Sequence, residues 1–304
     1  MHYWFLIFIF LTHTVYAQSS YQKKYVNVDG RKIGYKSFGL ETRKPDAPVL
    51  VFESGLGSGG GAYEMLFAAL SPKTAGIAYD RNGLEDSEPD TTVKSDGDVV
   101  RRLHKLLKEL KVEPPYILVG HSLGGPFIRL FTAVYPGDVA GLVFIDPTDF
   151  MLTEKEDEEI RSLSGSAMGY RELFDTMMAK LSADTTNSIG TRNEMKRLRK
   201  TGYFEEYTSL APLPDIPVTV LISYNRPIEY QEQVLMKELK INGMPWFKEI
   251  NRFRIQHFAE MIKDNHNSSM VLLPRYSHGI HHQDPQLGAS AILDLYNKVI
   301  TSGK

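Results

Sequence analysis

The run Gly120-His121-Ser122-Leu123-Gly124 constrains this chain more than any other stretch. The apolar residues Tyr116-Ile117-Leu118-Val119 precede it and read as a strand buried on both faces. Pro126-Phe127-Ile128-Arg129-Leu130-Phe131 follows and reads as the start of a helix. Gly-x-Ser-x-Gly at a strand-to-helix turn is the pattern of a nucleophile elbow. So sharp a turn forces the serine into a strained backbone conformation. Small residues two before and two after it let strand and helix approach without clash. The hydroxyl of Ser122 then stands clear of the sheet, where a histidine can reach it.

A chain of 304 residues can bury a large core and still carry an insertion. Lysine plus arginine number 35 against 37 acids, a balance of −2, which argues against nucleic acid as the main partner. With no cysteine, disulfides, thiolate catalysis and cysteine metal sites are excluded. Trp4-Phe5-Leu6-Ile7-Phe8-Ile9-Phe10-Leu11 has the length of a signal-peptide core and is short for a bilayer span. Val15-Tyr16-Ala17 places small residues where a signal peptidase cuts, although no lysine or arginine precedes the core. Residues 1–17 are therefore expected to be a signal peptide. The mature chain from Gln18 is expected to be exported, periplasmic or secreted, without a stable membrane anchor. An uncleaved amino-terminal anchor is the competing reading.

Along the chain, Lys24 to Val28 and Arg31 to Phe38 alternate polar and apolar around Asp29-Gly30, a hairpin signal. Strands are expected at 48–52, 76–79, 116–119, 139–145, 218–223 and 269–274. Helices are expected at 62–70, 96–111, from 126, at 229–240, 245–263 and 285–300. This alternation implies an α/β fold, a mostly parallel sheet with helices on both faces. Residues 148–214 break the alternation with helical, methionine-rich sequence, which reads as a helical cap inserted over one end of the sheet. Ligands of open α/β sheets sit beyond the carboxyl ends of the strands. Ser122, Asp80, Asp146 and the loop after Leu273 all fall at such ends.

A serine hydroxyl needs a base within reach, and the base needs an orienting acid. His278 lies just past the last strand, ahead of Pro285, which opens the closing helix. That placement suits a loop histidine folding back over the elbow. His281 and His282 read as loop-packing or solvated side chains.

Glu53-Ser54-Gly55-Leu56-Gly57, Tyr79-Asp80-Arg81-Asn82-Gly83, Gly120-His121-Ser122-Leu123-Gly124-Gly125, Phe144-Ile145-Asp146-Pro147 and His278-Gly279-Ile280 with Pro285 together resemble the α/β-hydrolase fold family. The resemblance runs from roughly residue 48 to residue 290 and preserves the family order of serine, acid and histidine. It is specific for the fold and unspecific for the substrate. It implies a catalytic Ser122, Asp146 and His278, with Asp146 standing in for an acid that the family commonly carries after the following strand. That later region reads Ser223-Tyr224-Asn225-Arg226-Pro227-Ile228, and Glu229 beyond it is the alternative acid. The resemblance also implies an oxyanion hole from the backbone N–H groups of Leu56 and Leu123. Asp80 and Arg81 are expected to form a structural ion pair beneath the site.

The reading that follows is a serine hydrolase cleaving a carboxylic ester or lactone of a small, lipophilic molecule, with no metal and no organic cofactor. An aminopeptidase-type amide hydrolase is one alternative, and a hydrolase-like binding protein without fast turnover is another. A third is a dinucleotide-binding oxidoreductase. Gly55-x-Gly57-x-x-Gly60 follows a strand, and Asp80 ends the next one where a ribose-binding acid would sit.

Overall fold

Asp29 and Gly30 both take positive φ, 50° and 77°, the turn geometry that matches the twist of a two-residue hairpin. They join β1 (Lys24–Val28) to β2 (Arg31–Phe38). This computed structural model describes residues 21–302 except Tyr203 and Glu229. The expected signal peptide and the alternative acid Glu229 lie outside the described residues.

Six more strands follow: β3 (Val49–Glu53), β4 (Ala75–Tyr79), β5 (Tyr116–His121), β6 (Val139–Ile145), β7 (Val218–Tyr224) and β8 (Ser269–Pro274). The sheet order is β1-β2-β4-β3-β5-β6-β7-β8. The first two strands pair antiparallel, β2 joins β4 antiparallel, and every later pair is parallel. Ten helices are described: α1 (Glu64–Leu70), α2 (Asp96–Glu109), α3 (Gly124–Val134), α4 (Glu154–Ser164), α5 (Tyr170–Ala183), α6 (Ile189–Lys200), α7 (Tyr230–Glu238), α8 (Gly243–Ile262), α9 (Ile280–Gln283) and α10 (Pro285–Ser302).

Strands β3 to β7 are buried almost throughout and mostly apolar because both of their faces are covered, whereas β1, β2 and β8 keep exposed positions. Side chains alternate across the sheet. Tyr116 and Leu118 of β5 enter one layer with Leu103, Leu106, Phe127 and Phe131 of α2 and α3. Ile117 and Val119 enter the other with Phe67 of α1 and Ile292 and Leu295 of α10. Helix α2 starts where Ser95 and Asp98 close a reciprocal capping box.

Helices α4, α5 and α6 occupy the stretch expected to be helical between β6 and β7. They do not stand alone. Leu152, Ile160 and Leu173 share an apolar cluster with Met236 of α7, with Ile241, and with Trp246 and Phe253 of α8. Trp246 Nε1 donates to the Met168 carbonyl at 3.2 Å, and the Ala167 N–H donates to the Lys240 carbonyl at 3.0 Å. The helical layer over this end of the sheet thus draws on two separate stretches of chain.

Candidate active site

Ser122 is the first of the two residues between the end of β5 and the start of α3, with φ 52°. That left-handed conformation is costly for a serine and persists only where the surroundings enforce it. Its N–H donates to Ile145 O at 3.2 Å, and its carbonyl accepts from Gly125 and Thr148 N–H, both at 3.0 Å. The flanking glycines are steric necessities. A Cβ on Gly124 would lie 2.0 Å from Glu53 O, and one on Gly120 2.6 Å from Gly124 O.

Asp146 follows β6, also at positive φ, 40°, and its side chain is 2 % exposed. Four donors saturate the carboxylate. Oδ1 accepts the Ser223 N–H at 2.8 Å and pairs with Arg254 Nη1 at 3.0 Å. Oδ2 accepts the Ser223 hydroxyl at 2.8 Å and His278 Nδ1 at 2.6 Å. Burial alone would push the Asp146 pKa up, but Arg254, His278 and the Ser223 donors overcome it and hold the carboxyl well below its usual range. An ionised carboxylate can only accept, so Nδ1 of His278 carries a proton and the neutral ring keeps its lone pair on Nε2.

His278 lies in the loop between β8 and α9, its side chain half exposed. Its carbonyl accepts from His121 Nε2 at 3.0 Å, and the neighbouring Ser277 N–H donates to Gln283 Oε1 at 2.7 Å. Burial, and then repulsion from His278 whenever that ring is protonated, pushes the His121 pKa down to about 3, so this elbow histidine stays neutral and serves as a donor. The expectation for His281 resolves to packing. It is fully buried and stacked on Tyr63 at 5.1 Å between ring centroids.

Ser122, Asp146, His278, Leu56 and Leu123 all border one cavity of about 1200 Å³. The Ser122 hydroxyl has no hydrogen-bond partner among the described residues, so the serine–histidine contact is open here. Catalytic hydrogen bonds are often long without substrate. Among the described residues, no acceptor is paired with the backbone N–H of Leu56 or Leu123. Leu173, Phe174, Met177, Met178 and Leu181 of α5 line the same cavity.

Two expectations are corrected. Arg81 does not pair with Asp80. It lies between Glu53 (Nη1 to Oε1, 2.8 Å) and Glu194 of α6 (Nε to Oε1, 2.7 Å), while Asp80 pairs with Lys23 at 3.0 Å. Consecutive side chains on extended backbone point to opposite sides, which separates the two. Asp80 is also unavailable to a ribose. It is buried, and its Oδ1 accepts the Gly60 N–H at 2.9 Å, so the dinucleotide reading fails at its acid. Glu194, Arg254 and Ser223 were not anticipated. Glu194 meets Gly57 across 137 positions of sequence, and nothing local announces it. Ser223, near the end of β7, supplies two donors to Asp146 just past the end of the adjacent strand.

Residues 47–212 match the profile of the alpha/beta hydrolase fold. The chain belongs to the α/β-hydrolase fold family. This α/β-hydrolase is 22% identical over 280 residues to the uncharacterized protein YqjL of Bacillus subtilis strain 168, a match covering 92% of this chain and 94% of that one. Its fold is similar to that of a thermophilic esterase from Thermogutta terrifontis, with a TM-score of 0.58, 15% identity and coverage of 91% of this chain and 99% of that one. It is equally similar to an epoxide hydrolase from Vigna radiata, with a TM-score of 0.62, 14% identity and coverage of 93% and 99%. Two different chemistries on one scaffold leave the reaction of this α/β-hydrolase to be argued from its own side chains.

Proposed function

We propose that this protein is a serine hydrolase that cleaves carboxylic esters through an acyl-enzyme. The observation that carries the reading is the 2.6 Å hydrogen bond from His278 Nδ1 to the buried Asp146, in the cleft that Ser122 borders. Epoxide opening by the aspartate route requires a carboxylate at position 122, and serine stands there.

His278 Nε2 takes the Ser122 proton as Oγ attacks the ester carbonyl, and Asp146 stabilises the imidazolium. The Leu56 and Leu123 N–H groups hold the tetrahedral oxyanion, each such donor being worth roughly 10²–10³ in rate. Collapse of the intermediate breaks the C–O bond, and His278 returns the proton to the departing alkoxide. Water, deprotonated by the same nitrogen, then releases the acid and restores Ser122. The apolar wall of Leu173, Phe174, Met177, Met178 and Leu181 favours a lipophilic substrate.

Ser122→Ala is expected to abolish turnover of a chromogenic short ester while the melting temperature changes little. A panel of esters and aminoacyl amides on the wild type then separates ester from amide preference. Unchanged ester turnover in the alanine variant would overturn the reading.

A further inference from the structure

The loop that carries Leu56 is held from below by a single guanidinium. Arg81 has five N–H donors and uses all of them. Nε reaches Glu194 Oε1 at 2.7 Å, and Nη2 reaches Glu194 Oε2 at 3.1 Å and the Gly55 carbonyl at 2.6 Å. Nη1 reaches Glu53 Oε1 at 2.8 Å and the Ser54 carbonyl at 2.6 Å. A trans peptide is planar, with its C=O and N–H pointing in opposite directions. Because the Gly55 carbonyl points at Arg81, the Leu56 N–H of the same peptide unit points away from it. The next peptide is fixed as well, since the Gly57 N–H donates to Glu194 Oε2 at 2.8 Å. Both peptide units beside Leu56 are therefore clamped, one through Arg81 and one directly by Glu194.

Glu194 comes from α6, not from the sheet. Burial opposes its ionisation, but Arg81 prevails and holds its pKa below the ordinary value. The seat of α6 is tight. A Cβ on Gly190 would lie 2.0 Å from Gly83 O, and one on Gly57 (φ +68°) would lie 3.0 Å from Thr191 Cγ2. Arg197, one turn along, pairs with Asp96 at the start of α2 at 3.1 Å.

We propose that Glu194 is a positioning residue for the oxyanion hole: the inserted helix α6 sets the direction of the Leu56 N–H through Arg81 and the Gly57 N–H. The inference rests on the serine-hydrolase reading above. Glu194 touches no reacting atom. Its Oε1 accepts from Arg81 alone, and its Oε2 accepts from Arg81 and Gly57 together. Replacing either oxygen by an amide NH₂ therefore sets donor against donor.

The test compares wild type, Glu194→Gln and Glu194→Asp on p-nitrophenyl butyrate, with kcat normalised to active sites counted by the acyl-enzyme burst. Both variants are expected to lose tenfold to hundredfold in kcat per titrated site, with KM within about threefold of wild type. A merely structural role would lower the number of titratable sites and leave kcat per site unchanged. That result, kcat per site within twofold of wild type, overturns the proposal. Should neither variant fold, amide exchange on the wild type decides. The Gly57 N–H is expected to be protected throughout, and the Leu56 N–H to become protected only in the covalent adduct that an alkyl phosphonate inhibitor forms with Ser122. A Leu56 N–H already protected in the free enzyme overturns the proposal. A wild type without burst or turnover on any ester removes the parent reading, and this inference with it. A wild-type burst alongside unimpaired variants removes this inference alone.

Discussion

Asp146 shows how much one carboxylate can be asked to do. It is buried, ionised and saturated by Ser223, Arg254 and His278. Asparagine at this position presents two N–H groups where the carboxylate accepted, and it permits the wrong tautomer of His278. Under the proposed mechanism, kcat of Asp146→Asn is expected to fall by about 10³–10⁴-fold, as in serine hydrolases stripped of their orienting acid. Active-site titration with an ester substrate measures this. Residual activity within tenfold of wild type would mean that another group orients the imidazole. The residue was legible as a candidate because an aspartate closes an apolar strand. Of its donors His278 was legible too, whereas Ser223 and Arg254 were not, because they sit on a neighbouring strand and on a helix more than a hundred residues away.

Among the helices, α8 does more than fill space. His257 on it lies between Asp149 (Nδ1 to Oδ2, 2.8 Å) and Glu156 (Nε2 to Oε1, 3.1 Å), stitching α8 to α4 and to the chain after β6. Burial works against the charged ring, but the two carboxylates win and raise its pKa to about 9. A raised folded-state pKa means that the bridge stabilises fully below the unfolded value near 6.5 and fades as pH rises through about 9. Wild type is therefore expected to lose on the order of 2 kcal/mol between pH 7 and pH 10 that His257→Gln does not lose. Urea titrations of both proteins across that range measure it. Parallel slopes would show that the bridge contributes nothing. Helix positions themselves were readable, since Val99, Val100, Leu103, Leu106, Leu107 and Leu110 mark the stripe of α2 plainly. What periodicity does not reveal is which helix lies against which, and so the partnership of α7 and α8 with the inserted helices emerged only in three dimensions.

For the molecule as a whole, the opening antiparallel hairpin and the alternation that builds a mostly parallel sheet were readable in advance, whereas the order β1-β2-β4-β3-β5-β6-β7-β8 was not, because periodicity does not say which strand lies beside which. Charge pairing was not, because Arg81 finds its partners through the tertiary fold. A further whole-molecule property follows from the buried histidines. Burial lowers the pKa of His121, His281 and His282, and neither ring nitrogen of His281 has a partner among the described residues. Here the unfolded chain binds the extra protons, so stability is intact above about pH 6.5 and declines as pH falls below it. Wild type is expected to unfold at progressively lower urea between pH 7 and pH 4.5, and His281→Phe, which keeps the stack on Tyr63, to decline less steeply. Identical pH slopes would show that His281 does not contribute to the acid sensitivity.

The backbone-to-backbone seat of Gly190 on Gly83 has a practical corollary for protein engineering. A foreign lid grafted between β6 and β7 to change selectivity would have to bring a glycine to that crossing and a carboxylate one turn later. A transplant lacking them would leave the Arg81 guanidinium without two of its five hydrogen bonds. Chimeras of this scaffold should therefore be cut inside α4 or α5, keeping residues 188–200 with the sheet.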